Sequence, residues 1–97
     1  MSLKEKRVGV MMGGCSSERE ISLKSGQAVT EALRGSGWNV FPLELSSETE
    51  GEVRRLVAAH AVDVVFVAMH GGFGEGGPLQ HILERMRISF TGPAAVP

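Results

Sequence analysis

Val8-Gly9-Val10-Met11-Met12-Gly13-Gly14-Cys15-Ser16-Ser17-Glu18-Arg19-Glu20-Ile21 holds the decision about the fold. Val8, Val10, Met11 and Met12 form a short apolar run that ends at a glycine pair, the pattern of a buried strand with a sharp exit turn. Ser17-Glu18-Arg19-Glu20 then has the S-x-x-E spacing of a capping box, in which the serine hydroxyl accepts from the Glu20 N–H and Glu20 reaches back. The spacing predicts a helix that buries Ile21, Ser25, Ala28, Val29, Ala32 and Leu33, stopped by Gly35 and Gly37. A strand, a glycine turn and a capped helix make the opening half of a β-α-β unit.

The rest of the chain repeats that alternation. Asn39–Leu45 reads as a second strand, which Pro42 confines to a sheet edge. Val53, Leu56, Val57 and His60 mark a second amphipathic helix. Residues 62–69 are β-branched and apolar on both faces apart from Asp63, as in a central strand of a parallel sheet. A glycine-rich loop over residues 70–77 leads to Pro78, suited to the first turn of a third helix that buries Leu79, Ile82, Leu83 and Met86. Residues 88–90 form a fourth short strand. The fold class is therefore α/β, a Rossmann-like doubly wound parallel sheet of about four strands. Placing the two most apolar strands side by side gives the order 2-1-3-4. The gap between strands 1 and 3 is then the topological switch point, where ligands bind outside the carboxyl ends of the strands.

Composition narrows the function. The 97 residues suit one domain spanning 1–97, and 42% hydrophobic with 22% charged residues is ordinary globular usage. A net charge of −1 without a basic patch gives no reason to expect nucleic acid as a partner. The longest apolar run is far too short for a membrane span, and the charged N-terminus has no secretory apolar region. A single cysteine, Cys15, cannot build a disulfide framework and fits a reducing cytoplasm.

The first loop is not one of the common phosphate or nucleophile motifs. Its glycines lack G-x-G-x-x-G spacing, the chain has no G-x-x-x-x-G-K-[ST], and Gly14-Cys15-Ser16-Ser17-Glu18 misses the final glycine of a nucleophile elbow. The sixth residue after Cys15 is Ile21, where a phosphatase-like loop needs arginine. Cys15 near a helix start suits a thiolate, but with no basic neighbour in sequence the ordinary reading is a small turn residue. Glu18 suits the positive end of a helix and also suits a bound cation at the crevice. Two unit charges about 4 Å apart gain roughly 4 kcal/mol at an effective dielectric of 20, before desolvation. His70 follows a central strand, whereas His60 and His81 read as ordinary helix residues. Gly71 and its neighbouring glycines let backbone N–H groups approach a ligand, and Glu75 can orient His70.

Taken together, residues 8–26, the stretch Ala68-Met69-His70-Gly71-Gly72-Phe73-Gly74-Glu75-Gly76-Gly77, and Phe90-Thr91-Gly92 resemble the N-terminal domain of D-alanine–D-alanine ligases, which are ATP-grasp enzymes. The similarity runs from about Arg7 to Gly92, and the S-x-E-R-E-x-S-L-x-S-G string is its most specific part. The resemblance implies that ATP activates a first D-alanine as an acyl phosphate, which the amine of a second then attacks, in the synthesis of peptidoglycan precursors. It assigns Glu18 to the ammonium of the first D-alanine and puts His70 beside that substrate, as the catalytic pair. Gly71 and Glu75 join them as substrate-binding residues. ATP and Mg2+ are expected in central and C-terminal domains absent from this chain, so no metal ligand or cofactor-binding residue is expected here, and the chain alone should be inactive. A cytoplasmic homodimer is implied, with D-alanine and the remaining ligase domains as partners and neither nucleic acid nor membrane. Gly76, His81 and Pro93 depart from the family's usual Asp, small residue and Ser. Two other readings stay open: a nucleotide- or dinucleotide-binding module with Glu44 as its ribose-binding acid, and a non-catalytic α/β scaffold.

Overall fold

The computed structural model describes residues 5–69, 73 and 77–91. Seven elements alternate along the chain: β1 (Arg7–Gly13), α1 (Arg19–Gly35), β2 (Asn39–Leu45), α2 (Glu50–His60), β3 (Val64–Val67), α3 (Pro78–Arg85) and β4 (Ser89–Thr91). The strands form one parallel sheet in the order β2-β1-β3-β4, as the hydrophobic pattern requires. Alternation along β1 divides the core. Met11 points to the face covered by α2 and α3, where Leu43, Val53, Leu56, Val65, Val67 and Leu83 are buried. Val8, Val10 and Met12 point to the other face, against Leu23, Val29 and Leu33 of α1. Right-handed crossovers produce this split, because the chain moves one way across the sheet through α1 and the other way through α2 and α3.

Sequence spacing misjudged part of the buried stripe of α1, although Val29 and Leu33 do pack against the sheet. Ser22, Gly26 and Thr30 are its buried residues, Ala28 and Ala32 are exposed, and Ile21 is 54% exposed. Small residues face the sheet because the helix lies close to it: a Cβ on Gly26 would sit 2.6 Å from that of Met12. Beside α1, over β3 and β4, an open groove of about 390 Å³ is lined by Leu33, Trp38, Val64 and Phe66, with Lys6 and Asp63 at its rim.

The helix start is also a correction. The capping box at Ser17 does not form; α1 begins at Arg19, with Glu18 in the N-cap position and no side-chain cap. Ser16 serves this turn instead, its hydroxyl accepting from the Glu18 N–H and its carbonyl from the Arg19 N–H. A cap absent from the sequence reading starts α2, where Thr49 accepts from the Glu52 N–H at 3.3 Å.

Two strands are displaced from their expected limits for one shared reason. The N–H groups of Trp38, Val62 and Ile88 reach back to the carbonyls of Leu33, Val57 and Leu83, closing all three helices with the same six-residue turn. Gly37, Ala61 and Arg87 take the positive φ that this turn needs. Residues 62 and 88 are thereby spent on helix closure, so β3 begins at Val64 and β4 at Ser89. His81 is exposed on α3, 3.5 Å from Glu84, so its bulk does not enter the core. Gly76 and Pro93 lie outside the described residues.

One carboxylate gives the fold a measurable acid response. Glu52 accepts from the Arg55 guanidinium at 2.9 Å and from both the N–H and the hydroxyl of Ser46. Arg55 chiefly, with Ser46, brings its pKa from the ordinary 4.5 down to about 2. A depressed carboxylate stabilises the fold fully above its unfolded pKa and loses that contribution as pH falls from about 4.5 towards 2. Urea midpoints between pH 5 and 2.5 should therefore fall more steeply for the unaltered chain than for Glu52→Gln. Parallel curves would refute the assignment.

Candidate functional site

Gly13 and Gly14 leave β1 with φ of 95° and 88°, which turns the chain sharply over the carboxyl end of the sheet. The turn is tied to β2. The Gly14 N–H donates to the Leu45 carbonyl at 2.9 Å. Arg19 reaches back from the first turn of α1, its Nη1 donating to the carbonyls of Gly14 at 2.7 Å and Leu45 at 2.6 Å, and its Nη2 to Glu44 at 2.5 Å. From the β2–α2 connection, Glu48 accepts from the Cys15 N–H at 3.0 Å. Five hydrogen bonds thus hold a short loop on the outer side of the crevice.

Glu18 stands at the end of that loop. Its backbone is engaged twice, since its N–H donates to the Ser16 hydroxyl and its carbonyl accepts from the Ser22 N–H at 2.9 Å. Its half-buried carboxylate forms no hydrogen bond or ion pair among the described residues. The backbone is therefore fixed, and the side chain has no competing partner among the described residues, at the positive end of a 17-residue helix. Such a group can accept from an ammonium without breaking a contact to any described residue.

The other side of the crevice is the end of β3. Ala68 and Met69 are buried there, and a Cβ on Gly14 would lie 2.8 Å from Met69 Cε. The first glycine loop and the end of β3 are thus in direct apposition, as adjacency of β1 and β3 requires. His70, Gly71 and Glu75 lie outside the described residues. Phe73 packs against the core on the α2–α3 side, and Gly77, at φ 108°, precedes α3.

Several side chains singled out by pattern have other employment. Glu44, the ribose acid of the nucleotide reading, is paired with Arg19. Cys15 is exposed and engaged through its backbone. His60 Nδ1 is 3.0 Å from the Leu56 carbonyl, and its ring lies against Phe41 with centroids 5.8 Å apart. Among the described residues no three His, Cys, Asp or Glu side chains converge as metal ligands.

Pattern reading missed Arg19, Glu44, Glu48 and Ser22 as the frame of the loop. One signal was available. A cation in the first turn of a helix opposes the macrodipole, so Arg19 needed a compensating tertiary partner.

Residues 7–53 match the family model described as the D-ala D-ala ligase N-terminus. The D-alanine–D-alanine ligase of Geotalea uraniireducens is 43% identical over 90 residues, 93% of this chain and 28% of that protein. That of an Anaeromyxobacter species is 48% identical over 87 residues, 90% of this chain and 27% of that protein. The D-alanine–D-alanine ligase of Bacillus anthracis, solved in complex with ATP, superimposes with a TM-score of 0.73 at 30% identity, covering 88% of this chain and 28% of that one. This chain thus spans little more than a quarter of the length of the proteins it resembles. Among its described residues no helix is long and apolar enough to cross a membrane. In sequence and in overall superposition, the chain is similar to the N-terminal part of the D-alanine–D-alanine ligases.

Proposed function

We propose that this chain forms one wall of the first D-alanine site in an ATP-dependent D-alanine–D-alanine ligase of peptidoglycan precursor synthesis. The observation that supports the reading is the Glu18 carboxylate, anchored through its backbone at the switch point and without a partner among the described residues. Glu18 accepts from the substrate ammonium, which fixes the amino end of the first D-alanine. His70 lies beside the same substrate, oriented by Glu75, and the Gly71 N–H contributes to the loop that follows β3. Together they hold a zwitterion whose carboxylate faces the nucleotide.

ATP supplies the phosphoryl group that activates the first carboxylate, and Mg2+ neutralises charge on the transferred group. Neither is assigned to this chain, which has no G-x-x-x-x-G-K-[ST] motif with its phosphate-cradling lysine. Both belong to the rest of a longer polypeptide. The enzyme is cytoplasmic and homodimeric, with no nucleic-acid or membrane partner. The dinucleotide reading is disfavoured because Glu44 is already committed to Arg19.

ADP release by the full-length polypeptide tests the reading. Release that requires D-alanine supports it; release indifferent to D-alanine overturns it. Calorimetry of the 97-residue chain with magnesium-ATP should show no micromolar binding.

A further inference from the structure

Ser22 is completely buried on the sheet-facing side of α1, one helical turn after Glu18. Its hydroxyl makes two hydrogen bonds, accepting from the Gly13 N–H at 2.9 Å and donating to the Ala68 carbonyl at 2.7 Å. The partners belong to different strands. Gly13 ends β1, and Ala68 follows directly on β3.

Ladder geometry explains why the hydroxyl is there. β1 and β3 pair in parallel up to Met11 opposite Val67, and the Ala68 N–H still donates to the Met11 carbonyl at 2.9 Å. The next bond of a parallel ladder would run from the Gly13 N–H to the Ala68 carbonyl. In its place stands the Ser22 hydroxyl, which satisfies both groups and separates them by two hydrogen bonds instead of one. Neither backbone group is orphaned, although the strands part inside the protein.

We infer that Ser22 is a positioning residue, a hydroxyl wedge that opens the β1–β3 ladder at the switch point and sets the placement of the Glu18 loop relative to the end of β3. The inference rests on the first-D-alanine reading for its functional consequence. The Ser22 N–H also donates to the Glu18 carbonyl at 2.9 Å, so one residue links Gly13, Glu18 and Ala68. Without the hydroxyl, Gly13 and Ala68 either close into a direct rung or stay unpaired in an apolar interior. Both outcomes shift the origin of the Glu18 loop relative to the chain leaving β3. Displacement on the order of 1 Å in a substrate-holding group costs up to about a hundredfold in catalysis.

The test uses the full-length ligase and compares Ser22→Ala with Thr30→Val. Thr30 is the other buried hydroxyl on this helix face, but it donates to the Gly26 carbonyl within its own helix and joins no strands. Ser22→Ala should raise the KM for the first D-alanine about tenfold or more, while the KM for ATP stays within about twofold. Thr30→Val should leave both constants within about twofold whatever its effect on melting temperature. An unchanged first KM in Ser22→Ala, or an equal rise in Thr30→Val, overturns the positioning role. Amide exchange supplies a readout that does not depend on substrate or on any variant folding. The Gly13 N–H of the unaltered protein should exchange as slowly as its neighbours in β1, and a fast Gly13 amide overturns the wedge. If Glu18→Gln leaves the first KM unchanged while the Gly13 amide is protected, the substrate reading fails and the functional role of Ser22 fails with it. The wedge itself then stands on amide exchange alone.

Discussion

Glu18→Gln in the full-length enzyme should raise the KM for the first D-alanine by roughly tenfold to a hundredfold and leave the KM for ATP nearly unchanged. A hydrogen bond to a charged group contributes about 1.5–3 kcal/mol, and each 1.4 kcal/mol is a factor of ten. Glutamine keeps the size of the side chain and one acceptor oxygen, so the change removes charge without opening a cavity. The structural cost should be small, because the Glu18 carboxylate forms no bond among the described residues and caps no N–H of α1. Its backbone contacts to Ser16 and Ser22 are available to any residue. Glu20 supplies the control, being exposed on the same helical turn. Glu20→Gln loses a similar interaction with the helix dipole but none with a bound ammonium, so its kinetics should match the unaltered enzyme. Equal KM values for Glu18→Gln and Glu20→Gln would return Glu18 to the role of an ordinary first-turn acid.

Gly13→Ala should destabilise the domain by about 2–4 kcal/mol, since it combines backbone strain with a collision that cannot relax. Gly13 sits at φ 95°, and its added Cβ would meet the Leu45 carbonyl oxygen at 2.8 Å and Arg19 Nη1 at 3.0 Å. A flexible guanidinium could give way. The carbonyl cannot, because it is fixed by β2 and accepts from both the Gly14 N–H and Arg19. Relief would break the contacts that pin the first loop, so the variant should lose stability and loop order together. For a domain of this size the expected drop in melting temperature is roughly 10–25 °C. Gly35→Ala is the contrasting substitution. It ends α1 with nothing within 4 Å of the added methyl group, and should raise stability by up to about 1 kcal/mol. Calorimetric melts of the two variants shifting in the same direction would refute this account.

Both results depend on tertiary contacts around a loop whose existence, though not its fastening, was legible beforehand. Short apolar strand runs alternating with helical periods specified the described elements, because burial of a strand or of one helix stripe is written directly into residue spacing. The parallel sheet and its order followed from which strands were apolar on both faces. Glu18 could be placed at the switch point because it follows Gly13-Gly14 at the end of such a strand.

The details of how the loop is fastened came only from the folded chain. The phase of α1 was misread because apolar spacing marks Ile21 and Ala28, whereas close approach to Met12 selects Ser22, Gly26 and Thr30 for the sheet side. The capping box at Ser17 lost to hydrogen bonds from Arg19 to Gly14 and Leu45, which start the helix later than the local signal does. Arg19 with Glu44, Glu48 with Cys15, and Ser22 between Gly13 and Ala68 join residues far apart in the chain. Local sequence encodes which residues turn inward, since that depends on each side chain and its nearest neighbours. It does not encode which distant backbone group a buried hydroxyl or guanidinium will meet, because that is decided only when the sheet brings the strand ends together.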